Sequence, residues 1–186
     1  MGSVLRADIA RTYQFATGGR LQKIIQCVRS PGVHTVVVFR YGQWASRRSL
    51  LFRIVLDPVY LLLNTLIKIL WGIELPRAAR IGAGLYIGHF GGITISPFVI
   101  IGFNCTVSQG ITIGVSGTGE KQGVPTIGDD VFIAPGARLF GKITVGNNVK
   151  IGANAVIYRD IPDNAIVVLD PGYKIISYKG NITPRT

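Results

Sequence analysis

The second half of the chain repeats every six residues. Read from Ile127, the segments "IGDDVF", "IAPGAR", "LFGKIT", "VGNNVK", "IGANAV" and "IYRDIP" each open on Ile, Leu or Val. The fifth place is always Val, Ala or Ile, and four of the six second places are Gly or Ala. "ISPFVI", "IGFNCT" and "VSQGIT" keep the pattern from Ile95, Ile113 opens another turn, and "IGAGLY" and "IGHFGG" start at Ile81 and Ile87. A period of six is neither the 3.6 of a helix nor the 2 of a plain strand. It predicts a solenoid of short parallel strands, three sixes to a coil, with the aliphatic lead residue inward and each coil covering the next. The pattern breaks twice. The step from Ile87 to Ile95 is eight, so the frame slips just after His89, and "GVSGTGEKQGVPT" (114–126) separates Ile113 from Ile127.

Residues 50–76 are apolar but broken by Arg53, Asp57, Asn64 and Lys68 at steps of 4, 7 and 4. Those steps put the four on one helical stripe. The uninterrupted apolar run is far shorter than the roughly 18–20 residues a membrane span needs. The expectation is a helix packed on the solenoid or on a sister subunit. The alternative is a helix lying on the inner face of a membrane, helped by Arg47, Arg48 and Arg53. Pro58 starts a second helix or kinks the first. Residues 1–46 read as one or two further helices, with "GVHTVVVFRYGQW" as their apolar centre. The expected division is a helical region at 1–73, a β-helix at 74–168 carrying the loop 114–126, and a tail at 169–186.

Composition narrows the function classes. The 186 residues are 48% apolar and 16% charged, which supports a packed core. The net charge is +11, and residues 1–76 hold ten Lys/Arg against three Asp/Glu. A basic excess suits an anionic surface or a polyphosphate ligand, but no nucleic-acid-binding signature accompanies it. The two cysteines, Cys27 and Cys105, imply no disulfide framework and no CxxC metal site, and the N-terminus is charged too early for a signal peptide. The expected location is the cytoplasm, with the inner membrane face as a variant.

The six-residue repeat resembles the hexapeptide signature of left-handed β-helix proteins over about residues 74–168. The resemblance implies a mainly β fold, a left-handed parallel β-helix with an N-terminal α-helical extension. It also implies an acyl- or acetyltransferase working as a homotrimer with active sites between subunits, with a dimer of trimers as the further assembly left open.

That chemistry directs attention to His89 in "LYIGHFGG". The plain reading is a ring packed in the wall. The other is a wall opened by the frame slip and by Gly91-Gly92, exposing a general base. O-acyl transfer from a thioester needs such a base near neutrality, and imidazole is the usual one. A carboxylate holds its tautomer and stabilises the imidazolium. Glu74 lies fifteen residues upstream, close to one 18-residue coil, and is the candidate partner; otherwise it caps the entry to the first coil.

"IELPRAARIGAGLYIGHFGGITI" resembles the start of the serine acetyltransferase β-helix, where an acid fifteen residues ahead of the catalytic His forms a His–carboxylate dyad. That resemblance makes His89 and Glu74 the catalytic pair, although the family acid is typically Asp. "GVHTVVVFRYGQW" resembles the family's last helical segment, which makes His34 structural. Three positions depart. The family has Asp directly before the catalytic His, where this chain has Gly88. It has an Arg-His pair before the loop proline, where this chain has Gly123 and Val124. Those charges hold the amino-acid substrate or assist catalysis, and a zwitterion needs paired charges. The helical region is also short, with no counterpart to the family's acid-bearing segment. Together the departures resemble the short polysaccharide O-acetyltransferase branch. The resulting expectation is acetyl transfer from acetyl-CoA to a sugar hydroxyl of a glycan or lipid-linked glycan. A serine O-acetyltransferase of cysteine biosynthesis is the alternative.

For the acetyl-CoA side, the family resemblance assigns Ser116 and Gly117 of the loop to the cofactor, with Glu120 and Lys121 at the loop tip. Pro135 and Ala153 match wall positions that line the pantetheine tunnel. Lys142, Lys150, Arg159 and Lys174 are candidates for the phosphates. The closing "LDPGYKII" keeps Pro171 and a basic residue but inserts one position relative to the family. A zinc enzyme on this fold needs three histidines, and only His34 and His89 exist, so no metal is expected.

Overall fold

The computed structural model describes residues 2–118 and 122–169. Four helices precede the strands: α1 (Gly2–Phe15), α2 (Arg20–Arg29), α3 (Pro31–Ala45) and α4 (Leu50–Trp71). Three helices therefore stand before α4, where the sequence suggested one or two. The break between α2 and α3 is set locally: Ser30 caps α3 by accepting the Val33 N–H, and Pro31 takes the first turn. Pro is tolerated there because that N–H has no helical partner.

The hexapeptides form a left-handed parallel β-helix with three faces. The first face stacks β1 (Ile73–Glu74), β4 (Ile93–Ile95), β7 (Thr112–Gly114), β10 (Arg138–Phe140) and β13 (Val156–Ile157). The second stacks β2 (Arg80–Ile81), β5 (Ile100–Ile101), β8 (Thr126–Ile127) and β11 (Thr144–Val145). The third stacks β3 (Tyr86–Ile87), β6 (Thr106–Val107), β9 (Phe132–Ile133), β12 (Lys150–Ile151) and β14 (Ile166–Val167). Lead residues form aliphatic ladders in register, such as Ile95–Ile113–Leu139–Ile157, and all four are buried. The fifth-place residues, such as Val131, Ala137, Val149 and Ala155, are buried beside them, so hydrophobic burial comes from two fixed places in each repeat.

The helices close the N-terminal end of this prism. Asp8 and Arg40 are both buried there, 2.9 Å apart. Asp8 Oδ1 accepts the N–H groups of Gly84 and Leu85, and Arg40 donates to the carbonyls of Ile81 and Gly82. The pair therefore ties α1 and α3 to the turn between β2 and β3. On the third face, Phe15 stacks on Tyr86 at 4.3 Å between ring centroids.

α4 departs from expectation. It runs unbroken through Pro58 and is long and apolar enough, by length and composition, to cross a membrane. Arg53, Asp57 and Asn64 hardly interrupt that surface, because they sit on the side facing the rest of the chain, whereas Thr65 and Lys68 are exposed. Asp57 bonds Arg77 and Arg53, Tyr60 is buried, and Asn64 is half-buried. The large apolar side chains point away and are exposed, so within this chain α4 is not the buried helix the sequence suggested.

Candidate active site

The corner between the third and first faces carries the frame slip. From Ile87 to Ile95 the chain takes two residues more than from Val107 to Ile113 one coil later. The excess bulges outward at residues 88–92. Gly91 and Gly92 lie in the left-handed region, with φ of 98° and 66°, and a Cβ on Gly92 would sit 3.3 Å from the Gly110 Cα. Both demands favour glycine. The bulge leaves His89 and Phe90 exposed. Phe90 meets the Trp71 ring edge-on at 5.5 Å, so the end of α4 props the bulge from below. The His34 ring lies 6.0 Å from the Trp71 ring between centroids, and its Nε2 bonds the Val28 carbonyl at 2.7 Å, a structural role.

Glu74 sits on β1, the strand beneath β4, paired in register with Thr94. Gly72, two residues before it, packs under Gly91 and Gly92. Glu74 therefore lies on the first face, one coil below the strand that follows His89. Among the described residues no hydrogen bond joins Glu74 to His89. Glu74 Oε1 accepts from Lys68 Nζ at 2.7 Å, with both side chains about half exposed. Oε2 has no bond to the chain among those residues.

The same corner carries Gln109, Pro135 and Ala153 on successive coils. The stacking runs through backbone bonds from Gly110 N to Gly91 O (2.8 Å), Gly136 N to Gln109 O (3.0 Å) and Asn154 N to Pro135 O (2.9 Å). The structure thus brings His89, Pro135 and Ala153 to one edge. Gln109 escaped the sequence reading. Its Oε1 is buried without a hydrogen-bond partner among the described residues, an acceptor left open for a ligand N–H. The available signal was an amide in the apolar wall segment "TVSQGITI". Lys68 was missed too, because the turn at Gly72 separates it from Glu74.

Ser116 and Gly117 lie elsewhere. They follow β7 at the opposite edge of the first face, where Ser116 and Gly123 exchange backbone hydrogen bonds at 3.1 Å and close the loop's base. Lys142 and Arg159 share this edge, and Lys142 packs against Gly123. Lys150 is on the third face, with its ammonium 5.7 Å from the centre of the Phe132 ring. Glu120, Lys121, Pro171 and Lys174 lie outside the described residues. A hollow between α3 and the second face, lined by Trp44, Arg47, Arg80 and Phe103 among others, contains none of the candidate residues. Among the described residues no group of three His, Cys, Asp or Glu is placed to hold a metal ion.

The bacterial transferase hexapeptide (six repeats) family model matches residues 125–159. A serine acetyltransferase of Synechococcus elongatus is 37% identical over 144 residues, covering 76% of this chain and 56% of the relative. A serine acetyltransferase of Mycobacterium tuberculosis is 36% identical over 179 residues, covering 94% of this chain and 73% of the relative. The chain belongs to the serine acetyltransferase family. A solved serine acetyltransferase of Neisseria gonorrhoeae, in complex with serine, superposes with a TM-score of 0.71 at 26% identity, covering 93% of this chain and 68% of that one. The chain spans 56% and 64% of the length of the Synechococcus and Bacillus pumilus serine acetyltransferases it matches.

These likenesses overturn the expected glycan acceptor and the polysaccharide O-acetyltransferase branch. That expectation rested on side chains missing at Gly88, Gly123 and Val124 and on a short helical region. Loss of a charge removes one way of holding a zwitterion, but it builds no surface that recognises a sugar.

Proposed function

We propose that the chain transfers the acetyl group of acetyl-CoA to the side-chain hydroxyl of L-serine, yielding O-acetyl-L-serine and CoA. The observation that carries this reading is the 36% identity to a serine acetyltransferase over 94% of the chain. His89 is the general base. It takes the hydroxyl proton as the serine oxygen bonds to the acyl carbon, and passes that proton to the sulfur as the C–S bond breaks. Glu74 orients and stabilises the imidazolium through its free oxygen while Lys68 fixes the other.

Acetyl-CoA supplies the thioester. The small side chains of Pro135 and Ala153 leave room for its arm along the His89 edge, and the open acceptor on Gln109 fits an amide N–H. Ser116 and Gly117 lie across the first face from that edge. We therefore assign the loop of one protomer to the His89 edge of the next, in a closed homotrimer whose sites lie between subunits. Lys142 and Arg159, beside the loop, are the candidates for the cofactor's phosphates.

The test is thiol release from acetyl-CoA by the purified full chain, with and without L-serine, and with the product identified by mass spectrometry. Serine-dependent turnover is expected, lowered at least about a hundredfold by His89→Ala and less by Glu74→Gln. Absence of serine-dependent release, or full activity in His89→Ala, would overturn the reading.

A further inference from the structure

The outward surface of α4 is inverted relative to an ordinary surface helix. The residues that face the chain, including Arg53, Asp57, Tyr60, Asn64 and Ile67, fall within about 100° of the helix circumference at 100° per residue. That side carries the ion pairs. The remaining arc holds twelve exposed large apolar side chains, among them Leu51, Phe52, Ile54, Leu62 and Ile69. Its polar members are Thr65 and, at its border, Lys68. A water-facing helix shows the opposite arrangement, and an apolar surface this continuous marks a contact site.

Charge and shape select the occupant. Arg47 and Arg48 are exposed immediately before α4, and Arg48 lies 4.5 Å from the centre of the Trp44 ring. Trp71 stands at the other end. The three acids among residues 1–76, Asp8, Asp57 and Glu74, are each held by a cation, which leaves this end of the molecule positive. A neighbouring helix covers one stripe, whereas the exposed arc spans more than half the circumference, as a fluid apolar phase would. α4 also stays fastened along its length, through Arg77 to Asp57 and Lys68 to Glu74, so it meets that phase side-on.

We propose that α4 docks the protein onto an anionic lipid bilayer, its axis in the membrane plane, its apolar arc among the acyl chains and Arg47 and Arg48 among the phosphates. The helix is about 33 Å long at 1.5 Å per residue, and this contact orients the whole prism at the surface.

The experiment is co-sedimentation of the full chain with vesicles of phosphatidylcholine alone or mixed with phosphatidylglycerol. Binding to the anionic vesicles is expected, weaker by about tenfold or more on neutral ones and in Arg47→Glu/Arg48→Glu. Leu51→Asp/Leu62→Asp/Ile69→Asp is expected to abolish it. These side chains are exposed, so the melting temperature and the serine-dependent activity in vesicle-free buffer stay unchanged, which separates this inference from the catalytic reading. As an independent readout, Leu62→Trp is expected to be quenched by brominated acyl chains. Wild-type protein left in the supernatant with both vesicles would overturn the proposal. So would a triple variant that still binds, an unquenched Trp at position 62, or a triple variant whose only change is a smaller assembly, which would make the surface a contact between copies.

Discussion

Asp8 and Arg40 are 32 positions apart in sequence and 2.9 Å apart in space, each almost wholly buried. The aspartate also accepts two backbone N–H groups, and the arginine donates to two backbone carbonyls and to Gln43. Nearly every polar atom of the pair is thereby satisfied, and the helical cap is fixed on the first coil. Removing one partner strands a buried charge. Asp8→Ala is expected to cost about 3–5 kcal/mol and to lower the melting temperature by roughly 10 °C, read by circular dichroism. A melt within 2–3 °C of wild type, roughly the shift for 1 kcal/mol, would count against this role.

Gly88 bears on how serine, the proposed acceptor, would be gripped. A Cβ at this position would meet the Tyr86 ring at 3.4 Å, an ordinary contact, and the backbone is not in the left-handed region. Gly88→Asp therefore fits. The added carboxylate beside His89 supplies a partner for the serine ammonium, and a severalfold lower KM for L-serine is expected in steady-state assays, with little change in melting temperature. Gly123 offers no such freedom, since a Cβ there would meet the Lys142 Cβ at 2.7 Å. An unaltered KM in Gly88→Asp would show that the ammonium is held elsewhere.

Lys68 and Glu74 are about half exposed, so their pairing contributes at most about 1 kcal/mol to stability. In the proposed mechanism its value lies in fixing the carboxylate. Lys68→Met is expected to reduce kcat roughly five- to tenfold through lost orientation while KM for acetyl-CoA holds, and Lys68→Arg to restore most of the rate. Equal effects of Met and Arg would sink this assignment.

Burial pushes the Cys105 thiol from its ordinary 9.0 up to about 11, and its Sγ lies 3.2 Å from the Gly128 carbonyl. Above pH 9 the unfolded chain sheds this proton while the folded chain keeps it. The associated stability is complete below pH 9 and declines as pH rises through about 11. Cys105 is accordingly expected to resist iodoacetamide at pH 8 until the protein unfolds, as followed by site-resolved mass spectrometry. Rapid labelling of the folded protein would contradict it.

The β-helix was legible because one residue type recurs at one place. The lead residues Ile127, Ile133, Leu139, Val145, Ile151 and Ile157 are all buried, and the step of eight after Ile87 is the outward bulge at His89. α4 was legible as a helix with a polar stripe, but periodicity cannot say which side meets the protein. That depended on Arg77 and Tyr60 gathering the stripe inward. Gln109 and Lys68 stayed hidden because their significance comes from neighbours on other coils or across a turn. The acceptor was misread from absent side chains, which report what a site has lost and not what it holds.

The two edges of the first face have a consequence for inheritance. His89 stands at one edge and the loop base at Ser116 at the other, so in the closed trimer we propose each chain would lend half of one site and half of another. A cell carrying one allele defective at His89 and a second defective in the loop would still assemble some intact sites from mixed chains. Two recessive lesions in one gene would then complement each other.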